Sequence, residues 1–533
     1  MKKCIIVILL CFCALTSFAD VSLNGGIQHD GLFGFNDQAL NANYDFPYLS
    51  NTYLNLGMQS TYVAAGLRLE LMPKPLQGYE TSFAGAGVGN LFVQANYKWL
   101  RLTLGDVYAQ YGSGFVLRLY EDRALGIDNS LRGAKLELTP FRGINIEAIG
   151  GKQRVYWNCY DNTSWNLDYT QGAVVGGNIE LQIDQWSNTM QENNIGLLLG
   201  ASYVSRYQPM DTIIASYSPL TMYNLPVWTA AADVRAKLRI QDFSLLVEYA
   251  RKANDPSVEN QISYNDGEAL LLSGAWSRKG LSIVAQIKRS ENMSFRSDRM
   301  ARGNAAMINY LPAFTTTHTY ALAALYPYAT QTLGEWAWQG EVRYTAKKNT
   351  PFGGKYGTTL NLNFAHVRGL GKGWFGVSEQ PYYTDVHLEL HKRCSQNWWI
   401  NAMYMYQTYN QTVVEGHGEL IRANIFVADV KYKVSDNVSM RAEAQYLFSR
   451  QAEGQWVFGL YELALWQKLT FTLSDMFNIG GENYWQAGAT YQTAGHRLQV
   501  SYVRQRAGYN CTGGVCRYVP AQKGFSLNYT YNF

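Results

Sequence analysis

The chain closes on KGFSLNYTYNF, Lys523 to Phe533, an alternating stretch that runs to the terminal residue. Phe525, Leu527, Tyr529, Tyr531 and Phe533 fall on one face of an extended strand, and Ser526, Asn528, Thr530 and Asn532 on the other. Chain ends of soluble domains ordinarily fray, because ordering them costs entropy that little burial offsets. A two-residue period kept to the last residue predicts a strand that must pair with another.

Composition gives that pairing a setting. Charged residues are 16% of the 533, against roughly 25% in a typical soluble domain. The chain carries 39 Tyr, 22 Phe and 14 Trp, an abundance that suits apolar–polar interfaces, where an aromatic body sits in hydrocarbon and its polar tip among headgroups. Residues 1–19, with Lys2 and Lys3, the apolar run Ile5 to Leu15 and the small-x-small Ser17-Phe18-Ala19, predict an export signal cleaved after Ala19. Beyond it no apolar run approaches the length of a spanning helix; IGLLLGA is the kind of stretch found, which excludes a helical membrane protein. The formal charge of +4 falls to +2 once Lys2 and Lys3 leave, too weak a field to imply a nucleic-acid partner.

From Val21 onward, ten-residue alternating segments are joined by turns that are short and long in rotation. Ile425 to Lys433, the turn Val434 to Asn437, and Val438 to Phe448 form the clearest unit. Here Val438, Met440, Ala442, Ala444, Tyr446 and Phe448 share a face suited to lipid, and Ser439, Arg441, Glu443 and Gln445 one suited to a wet lumen. The pattern predicts an all-β, antiparallel, up-and-down transmembrane barrel over residues 20–533, of about 24 strands (22 to 26), without a plug domain. A soluble sandwich would alternate too, but with one face in bulk water it would rarely carry so many aromatics. Closure also accounts for the terminal strand, since an unpaired sheet edge in hydrocarbon costs several kcal/mol per group.

The terminal aromatic strand, Phe525 to Phe533, resembles the C-terminal insertion signal of bacterial outer-membrane barrels, which implies barrel-assembly machinery as a partner. GDVYAQYGSGFVLRLYEDRALGIDNSLRGAKL, Gly105 to Leu136, and HTYALAALYPYATQ, His318 to Gln331, are similar to segments of an outer-membrane β-barrel family of the Bacteroidota. The resemblance implies a fold and a cell outer-membrane location, with lipid around the wall, and carries no activity, cofactor or catalytic residue.

Several groups could bear function. Asp106, Arg118, Glu121, Asp122, Arg123, Asp128 and Arg132 are interleaved with glycines, and they fit either a pore constriction or a solvated external loop with locally paired charges. Asp233, Arg235, Lys237, Glu341, Arg343, Asp429, Lys431, Arg441 and Glu443 are expected to face the lumen. In TDVHLELHKR, Asp385, His387, Glu389 and His391 share one face, with neighbours about 6.6 Å apart. His387, Glu389 and His391 could ligate a metal, though an ordinary polar stripe is the plainer reading. Cys511 and Cys516 bracket Thr512 to Val515 and predict a disulfide, while Cys159 and Cys394 are expected on opposite sides of the membrane. His29, His318, His366, His387, His391, His417 and His496 make no nucleophile–base motif with their neighbours, so a rim hydrolase is the minor alternative to a non-enzyme. A passive channel or transporter for small solutes is expected first. An accessory barrel for structure or secretion, its lumen filled by a long connection such as Glu291 to Gly334, is the second reading.

Overall fold

The computed structural model describes residues 21–79, 81–157, 167–210, 213–217 and 220–533. The export signal and Cys159 lie outside them. Twenty-four strands form the wall. The first eight are β1 (Ser22–Gly34), β2 (Tyr48–Gln59), β3 (Val63–Met72), β4 (Gly85–Tyr97), β5 (Leu100–Val107), β6 (Leu131–Leu138), β7 (Ile144–Trp157) and β8 (Ala173–Gln182). Next come β9 (Ile195–Tyr207), β10 (Trp228–Ile240), β11 (Phe243–Lys252), β12 (Gly267–Arg278), β13 (Leu281–Glu291), β14 (Gly334–Ala346), β15 (Thr358–Leu370) and β16 (Val377–Arg393). The last are β17 (Trp398–Asn410), β18 (Leu420–Ser435), β19 (Val438–Ser449), β20 (Trp456–Leu465), β21 (Leu469–Asn478), β22 (Asn483–Thr493), β23 (His496–Gln505) and β24 (Gln522–Asn532).

Each strand pairs antiparallel with the next, and β24 returns to β1 in a register running from Gly26↔Asn532 to Gly34↔Gly524. The circle is closed. Phe533 extends the seam, its N–H donating to the Gly25 carbonyl at 2.9 Å and its carbonyl accepting from Gly25 N–H at 3.0 Å. A β-carbon on Gly25 would stand 2.4 Å from the Phe533 ring and displace that terminal side chain.

Strands extend past the alternating segments that reveal them: the β18–β19 turn is residues 436–437, not Val434 to Asn437. Backbone pairing continues beyond the hydrocarbon-facing residues, where alternation loses its contrast. Leu56, Val93, Leu199, Val234, Phe364 and Phe426 stand exposed on the outer face, an apolar belt that a closed sheet cannot bury against itself. One rim carries mostly short turns; the other carries long connections, among them residues 108–130 and 292–333.

Those two connections are central to the fold. Phe115, Val116 and Leu117 of the first, and Met293, Phe295, Ile308 and Leu322 of the second, are fully buried in one cluster with inward wall residues such as Val174, Val204, Ala250, Ala337, Met405 and Ile425. The connections lie inside the barrel and fill the half of the lumen toward the long-connection rim. Toward the short-turn rim, Lys237, Glu341, Arg343 and Lys431 are exposed, whereas Asp233, Glu335 and Asp429, nearer the other rim on the same strands, are buried, so the short-turn half is wet.

Candidate functional site

The two inner connections are bonded into one body. Arg118 N–H donates to the Ile308 carbonyl at 2.8 Å and Tyr310 N–H to Gly114 at 2.9 Å, while Asn309 Nδ2 donates to the Phe115 carbonyl at 2.9 Å. Between them the Arg118 guanidinium lies over the rings of Tyr310 and Tyr120, at 3.9 and 4.3 Å. The Gly112-Ser113-Gly114 tip docks on the wall at Glu248, whose carboxylate accepts from Ser113 N–H at 3.0 Å and Ser113 Oγ at 2.7 Å. Gly112 has φ +52° and leaves no room for a side chain, since a β-carbon would lie 2.6 Å from Glu248 Oε1.

A second anchor is electrostatic. Arg68 of β3 pairs with Glu70 at 2.7 Å, with Glu121 at 2.7 Å and with Asp128. Arg154 of β7 reaches Glu70 at 3.2 Å and Asp128 at 3.0 Å. Arg123 pairs with Glu121, donates to Gln28 Oε1 at 2.8 Å and Asn55 Oδ1 at 3.2 Å, and lies 4.2 Å from the Tyr53 ring centroid. Three guanidiniums thus meet three carboxylates, and a buried set of this kind is tolerable only when so balanced. Burial pushes the Asp128 carboxyl up, but the Arg154 and Arg68 guanidiniums outweigh it and leave the group below the usual carboxylate range.

Of the seven constriction candidates, the structure brings Glu121, Arg123 and Asp128 together in this cluster. Asp106 and Arg132 pair on adjacent wall strands, Arg132 Nε to Oδ1 at 2.7 Å and Nη2 to Oδ2 at 2.6 Å. Asp122 accepts from Leu125 N–H at 3.1 Å and only shapes the turn, and Arg118 stands between its tyrosines. The expected lumen residues also divide. Arg235 is buried against Asp233 at 2.7 Å and Glu180 at 2.8 Å; Arg441 joins Asp429 at 3.0 Å, Glu462 at 3.2 Å, and Glu443.

The sequence reading placed Arg68, Glu70, Arg154 and Glu248 in no site. Arg68 and Glu70 alternate with leucines in LRLELM, which was signal enough for an inward charged pair. The metal candidate changes membership: His391 Nε2 lies 3.2 Å from Glu389, but His387 instead shares Asp385 with His318 of the inner connection. Spacing along one strand could not show a partner arriving from another element.

Cavities flank the charged cluster along one wall. Toward the short-turn rim, a cavity of about 340 Å³ is lined by Asn24, Asn55, Gln59, Asn90, Phe92 and Tyr108. Toward the other rim, one of about 480 Å³ is lined by Leu32, Gln77, Gln505, Tyr509, Arg517 and Asn528. Along β1, Asn24 borders the lower space, Gln28 holds Arg123, and Leu32 borders the upper. Over the second connection lies the hairpin 508–519, closed by the Cys511–Cys516 disulfide; Gly513 and Gly514 carbonyls accept from Ala313 N–H at 3.1 Å and Thr330 N–H at 3.0 Å. Cys394, in the β16–β17 turn, is a free, exposed thiol.

Comparison adds fold-level likeness. The chain is similar to the siderophore receptor PirA of Pseudomonas aeruginosa, at 10% identity and a TM-score of 0.42, over 96% of this chain and 80% of that one. It is similar also to P. aeruginosa OccK3 (OpdO), at 12% identity and 0.37 over 85% and 96%. For Acinetobacter baumannii OccAB3 the values are 9% and 0.33, over 97% and 100%. No curated protein matches the sequence. A family model matches residues 1–533, and the chain therefore belongs to DUF6029, a family of unknown function.

Proposed function

We propose that the chain is an outer-membrane channel or transporter whose small solutes pass along the β24–β1–β4 wall rather than through the middle of the barrel. The observation that carries this is the pair of cavities on either side of Arg123, whose polar lining is mostly amides and hydroxyls, with Arg68 and Glu121 the charged side chains of the first and Arg517 that of the second. Amide side chains both donate and accept, which suits uncharged polar solutes and demands no fixed charge on them. Arg123 is the gate: its guanidinium spans from Glu121 to Gln28 and Asn55 and closes the route between the two spaces. The apolar belt sits in outer-membrane lipid, of the Bacteroidota kind that the sequence resembles, and the Phe533 strand is the signal read by the assembly machinery.

Planar-bilayer recording tests the reading. Wild type is expected to conduct weakly and Arg123→Ala severalfold more, with little ion selectivity in either. A second reading, an accessory barrel with a closed lumen, is favoured by the density of bonds within the inner body. Absence of steady current from both proteins would end the passage proposal and leave that one.

A further inference from the structure

Asp385 of β16 is wholly buried, at 0% side-chain exposure, and each of its oxygens is taken by an imidazole. His318 Nε2 lies 2.7 Å from Oδ2, and His387 Nδ1 lies 2.8 Å from Oδ1. Both imidazoles are themselves 4% exposed, and their rings meet edge to face with centroids 4.8 Å apart. Among the described residues, no Lys or Arg pairs with this carboxylate, in contrast to the clusters at Arg68, Arg235 and Arg441. Both of its partners are imidazoles, groups that ligate metals as readily as they donate hydrogen bonds.

We propose that His318, Asp385 and His387 bind a divalent first-row transition metal such as Zn²⁺, which fastens the inner connection to the wall. Two imidazoles and one carboxylate, with a fourth position left to water, are a donor set that Zn²⁺ accepts. The ligand atoms lie within 4.8 Å of one another. Ligand atoms about 2.0–2.2 Å from a tetrahedral ion sit roughly 3.3–3.5 Å apart, so the side chains need shift by only about an ångström. On binding, each ring exchanges its N–H···O contact for an N–metal bond. In a neutral ring the proton moves to the other nitrogen, and from an imidazolium it is released to water. The site has one ligand on the inner connection and two on the wall. It lies beside other ties of the same segment, such as Leu322 N–H to Gln445 Oε1 at 2.8 Å and Gln407 Nε2 to the Tyr326 carbonyl at 3.2 Å. Nothing in it depends on whether solute passes at the opposite wall.

The test uses full-length protein folded in detergent and purified without a polyhistidine tag, titrated calorimetrically with Zn²⁺ and spectroscopically with Co²⁺. Wild type is expected to take up one ion per chain, with the intense visible bands of tetrahedral Co²⁺. His318→Gln and His387→Gln should lose that step while keeping the heat-modifiable gel mobility of a folded barrel; His391→Gln should keep both. As a second readout, Thr317→Cys at an exposed position, in a background where Cys159 and Cys394 are serine, should be labelled more slowly by a maleimide when Zn²⁺ is present, and that slowing should disappear when His387→Gln is added. No saturable uptake at millimolar metal, or uptake that survives His318→Gln, would overturn the proposal.

Discussion

Replacing Arg154 by alanine should release the inner body from the wall. The side chain is 0% exposed and donates to Glu70 Oε2 at 3.2 Å, Asp128 Oδ2 at 3.0 Å and the Gly89 carbonyl at 2.6 Å. Without it, Glu70, Glu121 and Asp128 face only Arg68 and Arg123, leaving one buried carboxylate uncompensated. Breaking such a set by removing one partner costs about 3–5 kcal/mol, and at about 1.4 kcal/mol per decade the local opening equilibrium should rise by roughly two to three and a half decades. Ser130 reports that opening, since it is 0% exposed and lies two residues after Asp128, to whose Oδ1 its N–H donates at 3.3 Å. Ser130→Cys, with Cys159 and Cys394 replaced by serine, would be labelled with a membrane-impermeant maleimide under conditions where rate tracks the open population. Arg154→Ala should speed labelling at least a hundredfold, and adding Glu70→Gln, which restores charge balance, should return more than tenfold of that. Equal rates for wild type and Arg154→Ala, or faster labelling of the double variant than of the single, would refute the balanced-cluster argument.

Ala442→Arg and Ala444→Arg, on the exposed outer face of β19, should each cost about 2–4 kcal/mol at the bilayer midplane, read as a lowered urea midpoint. Gly25→Leu, or deletion of Phe533, should lower the amount of heat-modifiable barrel in the outer membrane, whereas Gly459→Ala, which has open space around its β-carbon, should not. Asp128, held below the usual carboxylate range, contributes stability that is present at neutral pH and lost as pH falls through its depressed titration. The urea midpoint of wild type should therefore drop further than that of Asp128→Asn below about pH 4.

The wall was legible because lipid enforces contrast. Ala442 and Ala444 alternate with Glu443 and Gln445, and a strand with hydrocarbon on one side and polar lumen on the other has to show that period. The interior was legible only in outline: the charged, glycine-rich Asp106 to Arg132 stretch and the Glu291 to Gly334 connection could each be read as turning inward, but not how they join. Phe115-Val116-Leu117 in one connection, and Leu311 and Phe314 in the other, are buried in segments that have no period, fixed by glycine conformations and bonds to residues far along the chain. Their apolarity was nonetheless a clue, because a solvated external loop has no use for such runs. His318 and Asp385 stand 67 residues apart in sequence and meet only because the connection turns inward. Arg154 stands beside Lys152 on its strand, and nothing in that spacing tells the buried guanidinium from the exposed ammonium until the partners that bury it are known.

The position of the inner body constrains the order of events in biogenesis. Residues 108–130 and 292–333 belong to strand pairs far apart on the circle, yet they bond to each other inside it, beneath a hairpin that precedes the final strand. Neither connection can leave that rim without breaking the bonds that hold the hairpin down. The hairpin reaches its Ala313 and Thr330 partners only once residues 292–333 have turned inward, so the inner body is set before its cover closes over it.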